Sequence, residues 1–240
     1  MPRPDLPPQA LADLPLFPLP HTVLFPGALL PLHVFEPRYR AMAKHSLATH
    51  KALAVVLVTD PRFERAPRSE RSPLSEPPPR SERDPMSGRE LPAIAQVAGA
   101  GVIVEAAELP DGRFNILLRG EARVRLRELP FVPPFRRAEA VIVPDEGEEP
   151  PEHDLLALLS LVGSFTATIR AQNSAFDFQL PPNLPGSLAS NLVAQHLVLD
   201  AGVRQELLET LDPRERVRRT LDVLALQHSA IAKRGTKVVN

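Results

Sequence analysis

The chain has 240 residues, with 28 basic and 29 acidic side chains, 29 prolines, 11 glycines and no cysteine. That length suits one large domain or two small ones and needs no covalent staple to fold; the missing thiol excludes disulfides, a cysteine nucleophile, iron-sulfur clusters and thiolate zinc sites. A formal net charge of -1 supplies no global field toward nucleic acid or an anionic membrane.

Residues 1–13 form a proline-rich stretch with little to bury and read as a flexible tail. They lack the basic start and unbroken apolar run of a secretory signal. Elsewhere apolar stretches break within about ten residues, short of the ~20 that span a bilayer. The expectation is a cytoplasmic protein with no membrane partner. From 14 to 143, short apolar runs alternate with proline, glycine and aspartate, the pattern of strands and turns. One helix interrupts them. It opens at Glu36-Pro37 and carries Tyr39, Met42, Ala43 and Leu47 at spacings of three and four. Residues 53–58 are continuously apolar, as in a strand buried on both faces.

Residues 61–92 mix prolines with alternating arginine and glutamate and offer too few large apolar side chains to offset their own ordering. They read as a disordered insertion. Runs at 94–107 and 113–126 flank Leu109-Pro110-Asp111-Gly112, which predicts a hairpin whose glycine takes a positive φ. A last strand is expected at 136–143. Residues 144–151 (PDEGEEPP) then form an acidic linker, expected to be a hydrated hinge. The remainder, 152–235, carries helical periodicities: Leu155, Leu158, Leu159, Val162, Phe165 and Ile169 in one helix, and Leu188, Leu192, His196 and Leu199 in the next. A third helix covers 203–211. The fourth starts at Asp212-Pro213-Arg214-Glu215, a capping box, and has a stripe of Val217, Leu221, Leu224, His228 and Ile231. These four helices predict a bundle.

No phosphate-cradling loop is present. Gly99-Ala100-Gly101 is followed by apolar residues instead of a helix start, so a bend or bulge in a strand is the expectation. No two of the seven histidines stand three or four residues apart, and no metal site is expected. Ser164 lacks the glycines of a nucleophile elbow and should bond its own preceding turn. His196 and His228, within apolar stripes, are expected to be hydrogen-bonded interior or interface residues. The sequence thus contains no catalytic constellation and calls for no cofactor. Arg123, Arg125 and Arg127 alternate with Val124 and Leu126 and project from one face of a strand. Such a face could hold phosphates, although the stronger reading is the solvated side of a half-buried strand.

The succession Leu14-Pro15-Leu16-Phe17-Pro18-Leu19, then Phe25-Pro26-Gly27, then Leu30-Pro31-Leu32-His33-Val34-Phe35-Glu36-Pro37-Arg38-Tyr39, resembles the amino-terminal domain of the ATP-dependent protease Lon. So do Leu109-Pro110-Asp111-Gly112-Arg113, Gly120, Arg123, Arg137-Ala138-Glu139-Ala140 and Leu211-Asp212-Pro213-Arg214-Glu215-Arg216. The resemblance implies an α+β fold, a PUA-like β pseudo-barrel followed by a C-terminal helical bundle. It also implies a non-enzymatic domain without the ATPase and serine-lysine peptidase modules, either a free-standing protein or an excised fragment of a longer chain. The implied partners are unfolded or extended polypeptide and an ATP-dependent protease for which the chain is an adaptor. Candidate polypeptide contacts are Phe25, Pro26, Phe35, Glu36, Arg38 and Tyr39, each with a competing role in forming the fold. The alternative is an RNA-binding adaptor using Arg123, Arg125 and Arg127, which the charge balance disfavours.

Overall fold

The computed structural model describes residues 4–60 and 91–237. The expected insertion at 61–92 therefore lies outside the described residues except for its last two. Apolar runs punctuated by proline and glycine form six strands: β1 (Leu14–Leu19), β2 (Leu29–Val34), β3 (Ala52–Leu57), β4 (Val97–Glu108), β5 (Phe114–Glu128) and β6 (Arg137–Val143). Their order is β2-β5-β4-β3-β1-β6, and an additional β5–β6 pairing closes five of them into a ring. The length of β5 makes this possible. Its first half pairs with β2 and its second half with β6, so both neighbours share one edge of the same strand. The result is a small pseudo-barrel with β2 attached outside the closed ring.

Small side chains let the ring close. Ala52, Ala54, Ala98, Ala100, Ala122, Ala138 and Ala140 share a buried cluster with Leu14, Leu16, Val56 and Val124. β3 is buried at every position, as its unbroken apolar run predicts. Its alternate residues Leu53 and Val55 join a second cluster under α2 (Pro37–Ala48), where Tyr39, Met42 and Ala43 pack against Val34, Phe114, Ile116 and Leu118. The expected helix start holds, with Glu36 at the cap and Pro37 first.

Two turns follow from their residues. In Leu109-Pro110-Asp111-Gly112, the Gly112 amide donates to the Leu109 carbonyl at 2.8 Å, and Gly112 sits at φ +76°. In Phe25-Pro26-Gly27-Ala28, the Ala28 amide donates to Phe25 O at 3.1 Å with Gly27 at φ +85°, the type II pattern of proline then glycine. Gly27 N donates to Gly120 O and Gly120 N to Ala28 O, so the turn runs into a glycine bulge against β5. The expected irregularity at Gly99-Ala100-Gly101 is a register shift between Ala100 and Gly101. Residues 24 and 25 cross this region so closely that a Cβ on Gly99 would lie 1.9 Å from Leu24 O.

For residues 4–13 the tail expectation is corrected. α1 (Pro8–Ala12) buries Ala10 and, with Leu6, packs onto the ring cluster. Asp13 also pairs with Arg137 at 2.8 Å. A proline-rich segment needs only two or three well-placed apolar side chains to dock against a preformed surface.

The second half holds α3 (Glu152–Gln172), α4 (Gly186–Leu197), α5 (Ala201–Glu209) and α6 (Pro213–Lys237). Leu158, Val162 and Phe165 of α3 meet Val193 and Leu197 of α4 and Val217 and Leu224 of α6. α3 is long and apolar enough by length and composition to cross a membrane, contrary to the sequence expectation; here its buried stripe packs within the bundle. Asp212 receives the Arg214 amide at 2.9 Å, whereas Glu215 pairs with Arg219 one turn on instead of completing a capping box. His228 accepts or donates a 2.9 Å bond with Thr168 Oγ1, as expected for an interface histidine, and Ser164 Oγ donates to the Ser160 carbonyl of its own helix at 3.1 Å.

α4 departs from its predicted stripe. Its buried face includes Ser187, Ser190, Asn191 and Gln195 beside Ala189, Val193 and Ala194, and His196 and Leu199 face outward. The polar residues are inside because α4 packs against the Phe25-Pro26 backbone and Arg123 of the barrel, Arg216 of α6 and Glu149 before α3, groups that demand hydrogen-bond partners when buried.

Candidate functional site

β2 carries an open apolar row. Its burial alternates, with Leu30, Leu32 and Val34 turned to the core and Leu29, Pro31 and His33 turned to solvent. Leu29 is 48% exposed and Phe35, just beyond the strand, 60%. The His33 and Phe35 rings lie 6.2 Å apart and nearly parallel, so Phe35 continues the row. Across the strand pairing, His33 Nδ1 and Asn115 Oδ1 are 2.7 Å apart, and Arg113 Nη1 lies 3.3 Å from His33 Nε2. A shallow depression of about 510 Å³ runs along this face, lined by residues that include Pro31, His33, Glu105, Asn115 and Leu117.

The structure separates the sequence-derived candidates. Phe35 is on this face. Glu36 and Arg38 are half-buried and bonded to each other at 2.9 Å. Tyr39 is a core residue. Its ring lies 4.5 Å from Phe17 and carries the Arg38 guanidinium 4.4 Å above it. Burial pushes its hydroxyl pKa up to about 12, against the opposing pull of Arg38.

Phe25 and Pro26 are corrected: both are buried beneath the helices, with Phe25 fully inaccessible. Phe25 N donates to Gln195 Oε1 at 2.9 Å and Asn191 Nδ2 donates to Pro26 O at 3.2 Å. They join the two halves and cannot meet an external chain in this conformation. The sequence missed Leu29 and His33, although a signal existed: Pro31 within an alternating run marks an edge strand.

The arginine face is corrected as well. Arg125 and Arg127 are exposed, and Arg127 pairs with Glu139 across the β5–β6 register. Arg123 is 3% exposed. It donates to Leu208 O at 2.7 Å, Asp145 Oδ1 at 2.6 Å and Asn191 Oδ1 at 2.9 Å. Burial, then the nearby Arg216 charge, lowers its pKa to about 10. Alternation predicts which side of β5 Arg123 takes, but not that helices cover that side.

The acidic linker is exposed over much of its length, yet three of its carboxylates are bonded to the rest of the chain. Asp145 binds both Arg123 and Arg216, and Glu149 accepts from Ser187 N at 2.8 Å and Ser187 Oγ at 2.5 Å at the start of α4. Glu148 pairs with Arg214. These contacts clamp the β region to the bundle and leave the β2 face uncovered among the described residues.

A model of the ATP-dependent protease La (LON) substrate-binding domain matches residues 13–225. The chain belongs to this family. The Lon protease of Roseiflexus castenholzii (strain DSM 13941 / HLO8) is 30% identical over 232 residues, which cover 91% of this chain and 24% of that protease. Lon protease 2 of Syntrophobacter fumaroxidans (strain DSM 10017 / MPOB) is 29% identical over 199 residues, covering 82% and 22%. The chain spans about a quarter of the length of the curated Lon relatives it matches. Solved structures share its fold, among them the two that follow. The Lon N-terminal domain protein from Xanthomonas campestris has a TM-score of 0.58 at 24% identity, over 88% of this chain and 98% of that one. The N-terminal domain of Mycobacterium avium complex Lon protease has a TM-score of 0.58 at 15% identity, over 89% and 98%. The α+β arrangement of pseudo-barrel and helices is therefore that of Lon N-terminal domains.

Proposed function

We propose that this Lon substrate-binding domain binds unfolded or extended polypeptide without a catalytic step of its own, and acts as an adaptor for an ATP-dependent protease. The observation that carries the reading is the open row Leu29, Pro31 and Phe35 beside its depression, in a chain whose family is defined by substrate binding. Exposed apolar surface of this kind marks an interaction site. An unfolded chain offers apolar side chains that a native protein hides, so the surface discriminates by accessibility and needs no single sequence. Burial of Arg123 removes one of the three members of the arginine face, and Glu139 pairs with Arg127, which weakens the RNA alternative.

The test is a titration with fluorescently labelled α-lactalbumin, once reduced and carboxymethylated and once native. Saturable binding of the unfolded form alone is expected. Equal binding of both forms, or of neither, contradicts the proposal.

A further inference from the structure

The same row stands on a free strand edge. Gly120 N donates to Ala28 O, and the β2–β5 register then runs Leu30 with Leu118, Leu32 with Ile116 and Val34 with Phe114. In an antiparallel ladder, hydrogen-bonded and non-hydrogen-bonded pairs alternate, so Leu30, Leu32 and Val34 spend their backbone groups on β5. Leu29, Pro31 and His33 turn theirs away from it. Among the described residues, β2 pairs with no strand but β5, and no other backbone group bonds to residues 29–34. Three carbonyls, of Leu29, Pro31 and His33, and two amides, of Leu29 and His33, face outward at strand spacing.

We infer that β2 takes polypeptide substrate by strand addition: an extended segment pairs with the outward groups of Leu29, Pro31 and His33 and lays alternate apolar side chains along Leu29, Pro31 and Phe35. The inference rests on the polypeptide-binding reading above and specifies its mode. Backbone pairing accounts for binding many sequences, because every chain carries the same donors and acceptors, while the apolar row selects segments that alternate. The charge of Arg113 on this face is met by Asp111 at 2.5 Å, and His33 is held between Asn115 and Arg113, which suits an occupant that brings no charge of its own.

Pro31 sets the strength. At an outward position its missing amide loses no bond to β5, which is why proline fits here. The same gap removes one donor from any incoming strand and guards the edge against continuous pairing with a second copy. An edge so interrupted captures a segment reversibly, which suits a chain that must be passed on.

Three synthetic decapeptides test the mode with the protein unaltered: a parent alternating leucine and threonine with lysine at both ends, and two twins N-methylated on the leucines or on the threonines. Methylation removes alternate backbone donors and leaves the side chains in place. Strand addition predicts that one twin binds at least tenfold more weakly than the other by fluorescence anisotropy, and that the retained twin stays within about threefold of the parent. Equal affinity for the twins, whether both are retained or both lost, overturns strand addition, as does failure of the parent to bind while unfolded α-lactalbumin still does. Failure of unfolded α-lactalbumin itself to bind overturns the broader reading instead.

Discussion

Arg216 holds Asp145 in a two-pronged contact, Nη1 to Oδ1 and Nη2 to Oδ2, each at 3.0 Å. Arg216 is fully buried at the start of α6, and Asp145 lies in the segment that follows β6. Arg123 from β5 donates to the same carboxylate, so one anion serves two buried cations at the seam between barrel and helices.

The two-to-one charge ratio predicts an asymmetry. Asp145→Ala leaves two guanidinium groups buried without an anion and should cost about 3 kcal/mol, the lower end for breaking a buried pair. Arg216→Met leaves Arg123 and Asp145 matched one to one and should cost less. Urea denaturation of the two variants measures the difference, and a larger loss for Arg216→Met would refute this charge argument.

Glycine substitutions should have opposite signs at two positions. A Cβ on Gly120 would lie 2.1 Å from the Phe25 carbonyl oxygen, a backbone atom with no room to retreat. Gly120→Ala should therefore destabilise by about 2 kcal/mol, as overpacking does. Gly163 is inside α3 with nothing within 4 Å of the added carbon. Gly163→Ala should stabilise by about 0.5 kcal/mol through the helix preference alone. Thermal melts of both variants check the pair.

Acid should weaken the fold through His50. Its Nδ1 accepts the Ala52 amide at 3.2 Å, a bond that a protonated ring nitrogen cannot accept. Burial, ahead of the other influences, lowers its pKa below the ordinary 6.5, and partial burial against Phe178 lowers that of the otherwise outward-facing His196 in the same sense. Both imidazoles bind protons more readily in the unfolded chain. Their contribution is present above pH 6.5 and is lost as pH falls through 6.5 toward the lower folded values. The urea midpoint should be lower at pH 5.5 than at pH 7.5, and the drop should shrink in His50→Asn. A midpoint that rises on acidification contradicts the assignment.

Replacing Arg123 with serine should act on stability before any ligand. Its guanidinium spans Leu208, Asp145 and Asn191, so its loss strands buried acceptors. Arg125→Ser, on the exposed part of the same strand, should leave the melting temperature within about 1 °C, because surface changes are usually small. Comparable losses in the two variants would place Arg123 outside the seam.

Much of the fold was legible in short-range signals. Pro110-Asp111-Gly112 fixed a turn, Glu36-Pro37 a helix start, and residues 53–58 a doubly buried strand, because each outcome depends on local dihedral preference or on a continuous run of one polarity. What escaped depends on distant partners. Arg123 looks like any exposed strand arginine until α4 and α5 cover it, and Ser190, Asn191 and Gln195 look like a solvated helix face until Arg216, Arg123 and the Phe25-Pro26 backbone arrive to bond them. The candidate surface was half visible. Phe35 was named from its motif, but Leu29 and His33 gain their meaning from the way β5 divides its edge between β2 and β6.

Amide hydrogen exchange of the intact protein, with and without saturating reduced and carboxymethylated α-lactalbumin, tests the central claim most directly. Protection is expected at the amides of Leu29 and His33, with exchange on the exposed face of α3 unchanged. Protection confined to the helices, or no change anywhere at saturation, would contradict substrate capture at the β2 edge.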